Sequence, residues 1–407
     1  MDLDSIKQFF ETNVESFERD LTKLSIESES FTCDNKVFEL RDIYKQRLID
    51  QLDKDKMTDD ILYYIHVLSE SWFLNSFNVI KELSTRRCTI YENMIQLKEL
   101  KLPDQRSPEW YQIRENLLTA SSLADALGKG HFQTRDDLLI SKTQENKEDV
   151  SKMARDIMQW GVVYEEVATQ FYEYLNNLTV VEFGLIPHPK LSVFGASPDG
   201  ICDIDSPNGY EGRMLEIKCP PKRNFTHEVP LHYWMQMQGQ LEVCDLDECD
   251  FLQVKIIEYK DVNEYEKDIL ITDKIQNGYT SDKLPKGVVL SYMENDKYNY
   301  LYSPWMASLN EILNWINLQK SIYKDKQLEE KWWKIERYEC TLVRRDKEWW
   351  ISKVPEIIQF WDDVIHYRKI GNEEIVKRIN ARKRGPRRKI MTIQEPLKGY
   401  LIDSDDE

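Results

Sequence analysis

The sequence predicts an α/β protein, a mixed sheet flanked by helices, with a helical domain at its N-terminal end. Three observations predict it. Apolar residues recur at helical spacing through the first hundred positions, the stretch Lys101–Pro108 holds two prolines, and short strand and helix signals are mixed from Ser107 to about Tyr259.

The helical reading of the N-terminal part rests on Ile6, Phe9, Phe10, Val14 and Phe17, and on Ile61, Ile65, Leu68, Trp72 and Phe73. The polar run Ser25–Asn35 reads as a connection between helices. We therefore expect a helical domain over 1–102, a mixed domain over 103–370 with its core in 105–260, and a tail over 371–407 that is first basic, then acidic. Within the mixed domain a helix is expected over Ala154–Leu175, followed by short strands Thr179–Phe183 and Leu191–Phe194. Strands Ile201–Ile204 and Met214–Lys218 flank Ser206–Gly209, whose Asn-Gly pair signals a hairpin. A helix Tyr233–Val243, a strand Phe251–Glu258 and a strand pair in Gly287–Pro304 come next. Met306–Trp333 reads as one long amphipathic segment, and Pro355–Ile370 as a second helix.

Composition narrows the class. No apolar run approaches the ~18 residues needed to cross a bilayer, and the N-terminus lacks a secretory pattern. A soluble intracellular protein with no membrane role is the expectation. The 7 cysteines are scattered with no C-x-x-C pair, which argues against a disulfide framework and a zinc ribbon, and leaves most of them as buried apolar residues. A net charge of −17 does not exclude a polyanionic partner. Charges beyond about 10 Å are screened, so local sign decides. Two basic patches stand out: Lys218, Lys222 and Arg223, and the run from Arg382 to Lys389.

Two segments carry the chemistry. Ser197–Gly200 (SPDG) places Asp199 at a turn where Gly200 permits unusual backbone angles. Leu215–Pro220 (LEIKCP) puts Glu216 and Lys218 two apart on a strand, so they face the same way, while Ile217 turns to the core with its carbonyl free. A hairpin between them sets Asp199 beside Glu216. Two hard oxygen ligands with an ammonium suit magnesium, which activates water against a phosphodiester. Either segment alone is usually only a turn or a solvated strand face; at a separation of 17 positions with a hairpin signal between, the pair points to a hydrolytic site.

The order of motifs resembles the phage lambda exonuclease and YqaJ-type viral recombinase branch of PD-(D/E)XK nucleases, which includes nucleases of large DNA viruses. Four segments carry the resemblance: RENLLTAS (Arg114–Ser121), GVVYEEVA (Gly161–Ala168), GASPDGI with LEIKCP, and YWMQMQGQL (Tyr233–Leu241). It covers about 105–260, with a weaker continuation over Arg344–Val364, and none of the first hundred residues. Asn116 departs from the glycine usual in the family.

The resemblance implies a restriction-endonuclease-like core with Asp199, Glu216, Lys218 and Gln236 as catalytic residues. It implies metal ligation by Glu165, Asp199, Glu216 and the Ile217 carbonyl, with Mg2+ (Mn2+ the alternative) and two ions per site. Arg114, Ser121 and Ser197 match positions that bind a 5′-phosphate. Lys222 and Arg223 are placed to hold the DNA backbone. Ser121 carries the rival reading of a helix N-cap. Glu165 is chosen over Glu166, and Gln236 over Gln238, on motif spacing. The implied activity is a 5′→3′ exonuclease on linear double-stranded DNA in viral recombination, repair or genome processing, in the host cytoplasm or nucleus. A single-strand annealing protein and a homo-oligomer are the implied partners. The alternatives are an endonuclease or DNA/RNA nuclease of the same fold, and an inactive DNA-binding or scaffold protein. The pairs Trp332–Trp333 and Trp349–Trp350 are read as buried rather than base-stacking.

Overall fold

A computed structural model of the chain describes residues 34–51, 89–103, 105–144, 152–206, 209–222, 225, 228–268, 278–295 and 297–384, with single positions at 8, 62, 65 and 69. Most of the expected N-terminal apolar positions, the turn residues Pro207 and Asn208, the patch residue Arg223 and the tail after 384 lie outside the described residues. The chain divides into two compact units, 1–92 and 93–407. In the first, helix α1 (Asp34–Gln51) fully buries Tyr44 and Leu48, four residues apart and so on one face.

The second unit runs α2 (Pro108–Glu115), β1 (Leu118–Thr119), a 3-10 turn (Ala120–Ser122), α3 (Leu123–Ala126), α4 (Arg135–Thr143), α5 (Lys152–Asn176), β2 (Val180–Val181), β3 (Ile186–Pro187), β4 (Phe194–Ala196), β5 (Gly200–Cys202) and β6 (Met214–Lys218). It continues with α6 (Leu231–Cys244), β7 (Glu248–Glu258), α7 (Val262–Lys267), β8 (Lys286–Glu294), β9 (Lys297–Tyr302), α8 (Leu309–Ile322), β10 (Glu329–Arg344), α9 (Lys347–Ile370) and α10 (Glu373–Arg384). Among the described residues the strands form two sheets, one ordered β2-β5-β6-β7-β10-β8-β9 and a small one ordered β1-β4-β3. This is the mixed sheet flanked by helices that the sequence predicts.

β6 and β7 pair in parallel, joined through α6, whereas β5 and β6 pair antiparallel with Gly200 opposite Leu215. Strand alternation then sorts β6 by face. Leu215 and Ile217 join Val163, Tyr164, Val167 and Phe171 of α5 in the main core, each large side chain contributing about 1.5–3 kcal/mol. Glu216 turns to α6. That helix packs closely because Gly239 lies where a Cβ would stand 2.9 Å from Phe194 and 3.2 Å from Ala120.

Three expectations need correction. Met306–Trp333 is not one helix: α8 ends at Ile322, and Trp332 and Trp333 belong to β10, where they point to opposite faces and are buried in separate core clusters. The strand placed at Leu191–Phe194 begins instead at Phe194. Gly200 is required for space rather than for backbone angle, since it sits in a strand and a Cβ there would lie 2.1 Å from Val180 Cγ1.

Candidate active site

Glu216 is the centre of the arrangement and has no exposed surface. A buried carboxylate must have its oxygens satisfied, and α6 supplies two donors one turn apart. Gln236 Nε2 donates to Oε1 at 2.7 Å, and Gln240 Nε2 donates to Oε2 at 2.7 Å. Lys218 also donates to Glu216 Oε1, as expected of residues two apart on one strand. The Lys218 ammonium sits 5.1 Å from the centre of the Tyr233 ring, also on α6.

Asp199 joins from the start of β5. Its Oδ2 accepts the amide of Ile217 at 2.6 Å, which ties the SPDG turn to the strand carrying Glu216. Desolvation, then the neighbouring Glu216, push the Asp199 carboxyl well above its ordinary range, against the pull of Lys218. Glu165, on α5, is half-buried and also raised, by desolvation and by Glu216, while Arg106 and Lys218 oppose. Arg106 Nη2 donates to Glu165 Oε2 at 2.9 Å. Glu166 is turned elsewhere and accepts from Gln170 at 2.7 Å. Lys218 is raised: desolvation works against its charge, but Glu216 and Asp199 outweigh it.

The donor set of Glu165, Asp199 and Glu216 is all hard oxygen, and burial, with Glu216 adding to it, raises the Asp199 and Glu165 carboxyls. That chemistry fits a hard divalent cation. Within the chain the charge is offset by Arg106 on Glu165 and Lys218 on Glu216. Among the described residues no group of three or more acidic, imidazole or thiol side chains is arranged to hold a metal ion.

A second cluster forms beside the first. Arg114 Nη2 donates to Ser121 Oγ at 3.0 Å, and its guanidinium lies over the Trp110 ring at 4.6 Å. Trp110 Nε1 in turn donates to Ser197 Oγ at 3.3 Å. The three residues matched to a phosphate site are thus linked through one tryptophan. Ser121 makes no helix cap; neither the 3-10 turn nor α3 has a side-chain cap. A cavity of about 250 Å³ opens here, lined by Arg114, Thr119, Ser122, Gln133 and Lys142 among others. Lys142 Nζ donates to the carbonyls of Arg114 and Leu117 at 2.5 and 2.8 Å, and Arg368 of α9 donates to those of Glu115 and Lys142. Asn116, where glycine is usual, has φ −101 and ψ 11, a conformation open to any residue.

Lys222 is exposed on the segment after β6. Gln238 does not reach the site; it ties α6 to the β10–α9 junction by donating to the Arg344 carbonyl at 2.9 Å and accepting from the Asp346 amide at 2.6 Å. Four residues were missed from the sequence. Gln240 was legible in principle, since four positions beyond Gln236 is the same helix face. Trp110 stacks with Arg114 four positions on along the same helix, but its bond to Ser197, and the contacts of Arg106 and Lys142, cross distant parts of the chain and leave no local signal.

Residues 109–247 match the family of the YqaJ-like viral recombinase domain. The match begins in α2 and ends just before β7, so the matched segment holds Arg114, Glu165, Ser197, Asp199, Glu216, Lys218, Gln236 and Gln240. The chain is 31% identical over 305 residues to the uncharacterized protein R354 of Acanthamoeba polyphaga mimivirus, covering 67% of this chain and 54% of that protein. The chain therefore spans about half the length of this relative. Solved structures similar to the chain include an alkaline exonuclease from Laribacter hongkongensis, at TM-score 0.38 and 21% identity over 68% of this chain and 98% of that one. Another is a phage-related exonuclease from Haemophilus somnus 129PT, at TM-score 0.32 and 11% identity over 66% of this chain and 98% of that one.

Proposed function

We propose that the protein is a metal-dependent deoxyribonuclease that hydrolyses phosphodiester bonds, working as a 5′→3′ exonuclease on linear double-stranded DNA with 5′-phosphate ends. The observation that carries this reading is the buried Glu216, clamped by two glutamines and paired to Lys218, with Asp199 tied to the same strand. Burying Glu216 fully, with Glu165, Asp199 and Lys218 half-buried around it, is costly for folding, and such perturbed charge clusters concentrate where chemistry needs them.

Glu165, Asp199, Glu216 and the Ile217 carbonyl would hold Mg2+, whose role is to polarise the phosphodiester and activate water. Lys218 orients the attacking water or donates to the charge that develops on the phosphate. Gln236 and Gln240 keep Glu216 from rotating. Arg114, Ser121 and Ser197 receive the terminal phosphate, where a guanidinium fork is suited to a bidentate grip. Lys222 and Arg223 contact the backbone, positioning the duplex without reading sequence. Action in viral DNA recombination, beside a single-strand annealing protein and as a homo-oligomer, completes the reading.

The test is digestion by the purified chain of 5′-phosphorylated linear duplex, closed circular duplex and RNA, with magnesium or with chelator. Loss of the linear duplex alone, only with magnesium, is the expected outcome. Cleavage of the circle would make the protein an endonuclease, and no cleavage of any substrate would return it to a binding role.

A further inference from the structure

The loop between α3 and α4 carries the most exposed of the large apolar side chains among the described residues: Phe132 is 79% exposed. The loop that presents it is held rigidly. Lys129 donates its amide to the Ala124 carbonyl at 2.8 Å, and Gln133 Nε2 donates to Asp125 Oδ2 at 2.7 Å. A Cβ on Gly130 would lie 2.4 Å from the Gln133 carbonyl oxygen. Thr134 closes the loop with a capping box on α4. A phenylalanine held outward by so many contacts gains nothing for folding, because its apolar area stays in water.

Phe132 is also the outer end of a series of rings that reaches the catalytic cluster. It meets His131 edge-on at 4.8 Å and His232 at 5.7 Å. His131 and His232 are stacked, 5.1 Å apart and 10° from parallel. His232 lies 4.1 Å from Tyr233, and the Tyr233 ring faces the ammonium of Lys218. The series thus connects the Lys218 ammonium, through Tyr233 and His232, to the exposed ring of Phe132.

We propose that Phe132, backed by the His131–His232 stack, is a nucleobase-binding step: it receives the face of an unstacked base of the strand that enters the active site. A base offers a flat π-face that stacks on an aromatic ring whatever its identity, so the step grips without selecting sequence. Imidazoles beside it suit the polyanionic backbone better than they suit an apolar protein partner. This inference rests on the nuclease reading.

The experiment uses the full chain and a linear 5′-phosphorylated duplex carrying 2-aminopurine near its 5′ ends. Wild type, Phe132→Ala and Phe132→Trp are compared for KM, for 2-aminopurine fluorescence on binding, and for sedimentation; thermal melting checks that each is folded. Phe132→Ala should raise KM roughly 5- to 150-fold, the range given by one base–aromatic stack, and abolish the fluorescence change, while Phe132→Trp restores both. Unchanged KM and fluorescence in Phe132→Ala, with wild type digesting the duplex, would overturn the stacking step and leave the nuclease reading standing. A change in sedimentation with KM unaltered would overturn it too, and assign the patch to a second copy of the chain. A wild-type protein that neither binds nor digests DNA would remove the nuclease reading and this step with it.

Discussion

Gln240 donates to Glu216 Oε2 across 2.7 Å, one helical turn beyond the Gln236 that holds the other oxygen of the same carboxylate. Its amide also reaches the Ser197 carbonyl at 3.3 Å, so one side chain links the buried carboxylate to the loop that begins Ser197–Gly200. Groups that orient a metal-binding carboxylate typically change affinity or activity by about 10–100-fold when removed. Gln240→Ala should therefore lower turnover by about that factor and raise the magnesium concentration needed for half-maximal rate. A magnesium titration of both proteins checks this; an unchanged titration curve would make Gln240 a packing residue only.

Arg114 is stacked on Trp110 and donates to Ser121, an arrangement that needs a planar fork. Arg114→Lys keeps the charge and loses the plane. We expect the preference for 5′-phosphate over 5′-hydroxyl ends to fall about tenfold or more, the value of a charge-assisted hydrogen bond of ~1.5–3 kcal/mol. Rates on the two ends, measured side by side, decide it, and an unaltered ratio would move end recognition elsewhere.

Much of the site was legible because its parts are local. Glu216 and Lys218 lie two apart on a strand, and Asp199 precedes a glycine that β5 requires for contact with Val180. The mixed sheet followed from the Asn-Gly hairpin signal before β6 and the alternation read in β7. What was not legible depends on distant pairs. Trp110 meets Ser197 across 87 positions, Arg106 meets Glu165 across 59, and Arg368 reaches Glu115 across 253. The β10 strand was misread because Trp332 and Trp333 suit a helix stripe as well as a strand, and only pairing with β7 and β8 distinguishes the two.

Gly200 offers a test of the local packing. Gly200→Ala should destabilise the protein by about 1–3 kcal/mol through overpacking against Val180, and the double change with Val180→Ala should recover most of it. Denaturant unfolding of the three proteins gives the answer; equal midpoints for wild type and Gly200→Ala would show that β2 yields at no cost.

Far from the active site, Lys286 is buried, donates to the Tyr265 and Asp268 carbonyls, and is depressed to about 8 by desolvation, with Lys334 adding to that and Asp268 and Glu266 opposing. Between pH 8 and the ordinary lysine value the unfolded chain binds more protons than the folded one, so this group's contribution to stability rises with pH. Below pH 8 its penalty is fully present, at most about 3 kcal/mol. The unfolding free energy of wild type minus that of Lys286→Met should therefore climb from pH 8 to 10. A difference that stays flat or falls would show that Lys286 keeps its proton in the fold.

Lys218 gives the most direct test. It sits on the buried Glu216, whose charge it offsets, is drawn to Asp199 and faces the Tyr233 ring, so thermal melting accompanies the test to show that the variant is folded. The decisive measurement is magnesium-dependent digestion of 5′-phosphorylated linear DNA by the intact protein and by Lys218→Ala. The account predicts robust digestion by the first and a loss of roughly 10²–10⁴-fold in the second, with DNA binding retained. Equal rates, or no magnesium-dependent digestion by the intact protein, would contradict it.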